Sequence, residues 1–122
     1  MTEMELYQIC LENGLTKRQS VYDTDHYFYC MNAGNPVWDY ANHEDPDAVI
    51  TINIYDDNIE ISLYSTVTES IYDKSKLVLV LTKCQSINFI NKEEIIDSIK
   101  KAKINFKNFL ISKKSQNIEQ DF

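Results

Sequence analysis

The chain predicts an α+β domain: a short N-terminal helix, an antiparallel sheet of about five strands, and a long C-terminal amphipathic helix packed on the sheet. Three observations carry this. Helical patterns open and close the chain behind capping boxes, a strictly alternating hairpin lies between them, and turn residues punctuate what remains. With 122 residues and 43% apolar content there is material for one core. The expected organisation is a single domain over residues 1–114 with a polar, frayed tail at 115–122.

Thr2 and Glu5 form the first capping box. Leu6, Ile9 and Cys10 follow at helical spacing, and Asn13-Gly14 stops the helix, so it should span about residues 3 to 13. Lys17 to Asp23 reads as a strand turned by Thr24-Asp25 into His26 to Met31, whose aromatic density favours extended structure. Residues 32–47 hold Gly34 and both prolines without periodicity, which predicts a long loop with one helical turn around Asp39 to Asn42.

The hairpin is Ala48 to Tyr55 and Asn58 to Tyr64, joined by Asp56-Asp57 and expected at the centre of the sheet. Ile50, Ile52 and Ile54 alternate with Thr51, Asn53 and Tyr55, and Ile59, Ile61 and Leu63 with Glu60, Ser62 and Tyr64. One face is for the core and one for water. Lys76 to Thr82 is apolar on both faces and reads as an interior strand, with a short strand at Ile87 to Ile90 after it. Asn91 and Glu94 make the second capping box. Ile95, Ile99, Ala102, Phe106, Phe109 and Leu110 then form a stripe of 3.6-residue period, giving a helix from about Lys92 to Lys113. Ile104 and Ile111 fall off the stripe one heptad apart and point to a homodimer contact. No internal repeat or low-complexity tract is read.

Charge is segregated along the chain. Net charge is −7, yet residues 19–73 contain eleven acids and no Lys or Arg, whereas residues 74–114 contain ten Lys against Glu93, Glu94 and Asp97. A chain this acidic is not expected to bind nucleic acid directly, because phosphate affinity comes from Lys and Arg. The Lys100, Lys101, Lys103, Lys107, Lys113 and Lys114 face holds no Arg and no aromatic residue for base stacking, so it reads as a solvated helix face. No run approaches the ~20 apolar residues of a membrane span. The acidic N-terminus lacks signal-peptide features, and the expected compartment is the cytoplasm. Cys10, Cys30 and Cys84 are odd in number and widely spaced, which fits reduced core thiols.

Two glycines in the chain exclude the glycine-rich phosphate loops. His26, Cys30, His43 and Cys84 are scattered single ligands, so no metal and no cofactor is expected. Cys30 with His43 and Asp45 or Asp47 could be drawn as a nucleophile, base and orienter, but any small chain with three Cys and two His offers such a triple. Asp23 with Asp25, and Asp56 with Asp57, read as turn formers. No catalytic residue is expected.

What remains is binding. Trp38 and Tyr40 are expected as aromatic anchors rimmed by Asp39, Glu44, Asp45 and Asp47, with Asp56 and Asp57 extending the acidic face. Such a face suits a basic partner reached by electrostatic steering. As a class, small acidic α+β proteins without motifs resemble the inhibitors of microbial conflict, namely phage anti-defence proteins and immunity proteins that block a toxin nuclease. That resemblance, of composition and size, implies a stoichiometric inhibitor of a basic, nucleic-acid-handling enzyme, mimicking nucleic-acid charge. The alternatives are a protein that sequesters a small molecule among Tyr27, Tyr29, Trp38 and Tyr40, and a chaperone or adaptor that binds an extended segment at a sheet edge.

Overall fold

The computed structural model describes residues 1–31, 36–41 and 45–120. Along the chain run α1 (Glu3–Glu12), β1 (Thr16–Gln19), β2 (His26–Cys30), β3 (Ala48–Ile54), β4 (Ile59–Glu69), β5 (Leu77–Ser86), a 3-10 turn (Ile87–Phe89) and α2 (Lys92–Gln120). The strands form one antiparallel meander in the order β1-β2-β3-β4-β5, and both helices share its core. This is the expected α+β architecture. No helix among the described residues is long and apolar enough to cross a membrane.

Register explains the two faces. Tyr27 lies opposite Ile52, which lies opposite Ile61; Tyr29, Ile50 and Leu63 form the next apolar row. Leu6, Ile9 and Cys10 of α1 and Ile95, Ile99 and Ala102 of α2 pack into the same core. On the other face the rows read Arg18, Phe28, Thr51, Ser62, Cys84 and His26, Asn53, Glu60, Ser86. Those rows are largely polar, as the alternation requires.

The N-cap side chain of each expected capping box starts its helix, while the Glu94 carboxylate turns to Lys83 and Gln85. Thr2 Oγ1 accepts the Glu5 amide at 3.2 Å and Asn91 Oδ1 the Glu94 amide at 2.9 Å. Gly14, at φ 78°, adopts the left-handed backbone that ends α1, and the Lys103 ammonium donates to the neighbouring Asn13 carbonyl. Leu110, expected in the α2 stripe, is 37% exposed at its far end.

Several expectations need correction. β1 ends at Gln19, because Ser20 to Asp25 are taken up by a turn. β5 is an edge strand, not an interior one: its early residues Leu77 to Leu79 are buried because the β2–β3 connection covers its outer side. There the Leu77 amide donates to Val37 O, Leu77 O accepts from the Asp39 amide, and the Leu79 amide donates to Pro46 O. Beyond that cover, Val80 and Leu81 are 41% and 49% exposed. Ile87–Phe89 is a 3-10 turn capped by Ser86, not a strand. α2 runs to Gln120, beyond the expected end near Lys113. Cys84 is exposed, while Cys10 and Cys30 are buried; all three are free.

Trp38 is 1% exposed, bridges Leu77 and stacks on Phe106 with ring centroids 5.0 Å apart. Its ring joins the connection to α2, so Trp38→Ala should cost ~3–5 kcal/mol in urea unfolding. Trp38→Phe, which keeps an aromatic partner for Phe106, should retain most of that stability. Equal losses in the two variants would refute the stacking account.

Candidate functional site

The long β2–β3 connection was expected to present an acidic, aromatic-centred surface. The structure turns Trp38 and the acids Asp39, Asp45 and Asp47 inward. Trp38, Asp39, Asp45 and Asp47 are 1%, 6%, 4% and 0% exposed. Their surroundings explain why. Asp39 accepts the Ala41 amide at 3.0 Å and the Ser70 hydroxyl, so it pins the connection to the β4–β5 turn. Tyr40 stays 41% exposed, and Glu44 lies outside the described residues.

Asp45 and Asp47 are drawn in by Arg18 of β1. Its Nη2 donates to both Asp47 carboxylate oxygens at 3.1 Å, and its Nη1 lies 3.3 Å from Asp45 Oδ1. The Cys30 thiol donates to Asp45 Oδ2 at 3.1 Å. One guanidinium faces two carboxylates, so the cluster favours an added proton. Burial, and then a hydrogen bond with Asp45, raise the Asp47 carboxyl to about 7 despite Arg18. Burial, then the charge of Asp45, push the Cys30 thiol far above its ordinary value. A nucleophilic cysteine needs the opposite shift.

Donor atoms of Cys30, Asp45 and Asp47 lie within 4.8 Å of one another, a grouping with the chemistry to hold a cation. Arg18 already supplies the positive charge there, bidentate on Asp47. Among the described residues, the three candidate ligands His26, Cys30 and Cys84 do not converge. His26 is bonded to Asn53 at one end of β2, Cys30 to Asp45 at the other, and Cys84 accepts from Ser62 at 3.4 Å; His43 lies outside the described residues. Of the four aromatic residues proposed around a small molecule, Tyr27 and Tyr29 lie edge to face with ring centroids 6.2 Å apart, and each has a partner of its own. Tyr27 donates to Glu3 and Tyr29 packs near Tyr7, whereas Trp38 stacks on Phe106 of α2.

The surface that does gather acids and aromatics is the end of the sheet where the β1–β2 and β3–β4 turns meet. The Ile54 amide donates to Asp25 O at 2.9 Å and joins the two turns. Asp23, Asp25, Asp56 and Asp57 are all exposed here, and among the described residues none makes an ion pair with Lys or Arg. Tyr22 and Tyr55 stand beside them, 86% and 54% exposed, with Val21 at 85%. Asp56 and Asp57 were expected in an acidic face; their company was not. The signal available was a tyrosine one residue before each acid, in Tyr22-Asp23 and Tyr55-Asp56. The ion pairs that Lys of α2 make among the described residues are elsewhere: Lys101 pairs with Asp97 and Lys113 with Glu69.

Two outcomes follow from the buried cluster. Arg18→Ala strands two carboxylates away from water and should cost ~3–5 kcal/mol in urea unfolding. A loss below about 1 kcal/mol, the scale of an exposed pair, would contradict a structural role. Separately, the folded chain keeps a proton on Asp47 that an unfolded Asp releases near pH ~4. Stability from this group is therefore complete below about pH 4 and is lost as pH rises towards 7. Thermal unfolding should show that decline in the native chain and a flatter profile in Asp47→Asn; parallel profiles would remove Asp47 as its source. Comparison of the chain with protein-family models, curated proteins and solved structures yields no match, so the reading of these surfaces rests on their own geometry.

Proposed function

We propose that this protein acts as a stoichiometric binding protein whose turn end docks on a basic protein, with an enzyme that handles nucleic acid as the partner class. The observation that carries the reading is the set of four exposed carboxylates, Asp23, Asp25, Asp56 and Asp57, on two adjoining turns around Tyr22 and Tyr55. Tyrosine supplies rigid contact area at low entropic cost, and unpaired carboxylates steer a positive surface and lose little on meeting it. A groove built for phosphate offers that positive surface. The docking face is thus moved from the β2–β3 connection, where Asp39, Asp45 and Asp47 are internal, to the turns.

A second reading has one observation in its favour. The outer edge of β5 beyond Leu79 is left uncovered among the described residues, with Val80 and Leu81 exposed, as strand addition by an extended segment requires. Lys83 and the irregular pairing near Tyr64 are the features by which sheets discourage such pairing, so the turn end is preferred.

Affinity capture from nuclease-treated lysate of the native host, at low and high salt, tests the choice. The native chain should retain a basic protein at low salt and shed it at high salt. A variant carrying Asp23→Asn, Asp25→Asn, Asp56→Asn and Asp57→Asn keeps the turn hydrogen bonds and should lose at least tenfold in affinity for it. Retention of the same protein by both chains would overturn the placement, and loss on Leu81→Lys instead would favour the β5 edge.

A further inference from the structure

The expectation of no internal repeat is also corrected. Ser20-Val21-Tyr22-Asp23 recurs as Ser70-Ile71-Tyr72-Asp73, fifty residues on, and both copies build the same turn. In the first, Ser20 Oγ accepts the Tyr22 amide at 3.2 Å, Asp23 Oδ1 the Asp25 amide at 2.9 Å, and Asp23 O the His26 amide at 3.2 Å. In the second, Ser70 Oγ accepts the Tyr72 amide at 3.1 Å, Asp73 Oδ1 the Ser75 amide at 3.0 Å, and Asp73 O the Lys76 amide at 2.9 Å. Ser20 N to His26 O and Ser70 N to Lys76 O close the two turns at 2.9 and 3.0 Å. Serine and aspartate thus hold the backbone. The aliphatic residue and the tyrosine hold nothing: Val21, Tyr22, Ile71 and Tyr72 are 85%, 86%, 83% and 70% exposed. Both turn tips thus present an exposed aliphatic–tyrosine pair whose side chains the turn itself does not use.

The two turns differ in charge and sit at opposite ends. Residues 20–26 hold Asp23 and Asp25 and no Lys or Arg, whereas residues 70–76 hold Asp73 against Lys74 and Lys76. Lys113 of α2 donates to Lys74 O and pairs with Glu69, so the free positive charge of this turn is that of Lys74. In the meander the β1–β2 turn shares its end of the sheet with Asp56 and Asp57, while the β4–β5 turn lies at the other end and the other edge. An acidic tip and a basic tip of one design therefore face away from each other and cannot meet within one molecule.

We propose that the partner of the basic turn is a second copy of this chain, whose acidic turn end receives it head to tail. Ile71 and Tyr72 of one copy pack against Val21, Tyr22 and Tyr55 of the next, and Lys74 faces Asp23, Asp25, Asp56 and Asp57, while Lys76 stays on the Pro36 carbonyl of its own chain. The contact is heterologous, so a pair of copies keeps one free acidic end and one free basic end, and the assembly extends or closes as a ring. It rests on the same acidic end as the proposed function, and a basic partner in excess would displace the neighbour from it.

Sedimentation velocity on the full chain tests this. Association of the native protein should grow with concentration at 50 mM salt and disappear at 500 mM. Asp56→Lys with Asp57→Lys removes the acceptor end, and Lys74→Glu with Ile71→Ser removes the donor end; the serine and aspartate that hold the turns remain in both. Each variant alone should be monomeric, and their mixture should form a 1:1 complex and nothing larger. Lys74→Ala, a milder donor-end change, should weaken association about tenfold. A native chain that stays monomeric at every concentration, or a mixture that forms no complex, overturns the inference. So does association lost on Ile104→Ser with Ile111→Ser, both about half exposed on α2, but not on the charge changes. Capture of a basic protein by a monomeric chain would sink the self-contact alone and leave the proposed function standing.

Discussion

Two carboxylates can be buried at the return of the β2–β3 connection because one guanidinium meets them there. Arg18 reaches from β1 to Asp45 and Asp47, and the rest of the connection depends on that anchoring. With Asp47 fixed, its carbonyl accepts the Met31 amide at the end of β2, and the preceding Pro46 carbonyl accepts the Leu79 amide of β5. The ion pair thus joins the first strand to the last through a segment that belongs to neither. The same charges without Arg18 would face a desolvation cost that no packing in the loop could offset.

At the other end of the connection the anchoring is apolar. Trp38 is pressed onto Phe106, and Asp39 bonds to Ser70, so the outer edge of early β5 is covered and Leu77 and Leu79 join the core. The described part of the long loop is therefore structural, and Asp39, Asp45 and Asp47 are spent on holding it. The proposed function accordingly places the partner on the turns. Their backbones are fixed by side-chain to main-chain bonds, so their exposed residues are presented with little ordering left to do.

The fold was legible where one local pattern decided the outcome. Alternation at Ile50, Ile52, Ile61 and Leu63 set β3 and β4, and the N-caps Thr2 and Asn91 set both helix starts. It was illegible where the deciding partner was remote in sequence. Asp45 and Asp47 look like surface acids until Arg18, 29 residues from Asp47, is seen against them. The apolar run Leu77 to Leu79 looks like an interior strand because its cover is a loop, not a neighbouring strand. The candidate site was half visible. Asp56 and Asp57 stood out as a turn, but their union with Asp23 and Asp25 depends on the register of β2 against β3, in which His26 faces Asn53. The twin turns were written plainly as Ser-Val-Tyr-Asp and Ser-Ile-Tyr-Asp, yet four residues are too few to register as a repeat until the same hydrogen bonds are found in both.

Charge segregation along the chain thus becomes segregation in space, though not the one its totals suggest. Of the acids in residues 19–73, Asp39, Asp45 and Asp47 are used internally and Glu69 pairs with Lys113, whereas the four at the turn end keep their charges free among the described residues. At physiological salt the field of such a group decays over ~8 Å, so it acts on what touches that end and not on what passes the far side of the sheet. Affinity must then come from contact, and the contact area there is Tyr22, Tyr55 and Val21. On the proposed reading the carboxylates would select a positive partner and the tyrosines would hold it; the fold brings both to one end.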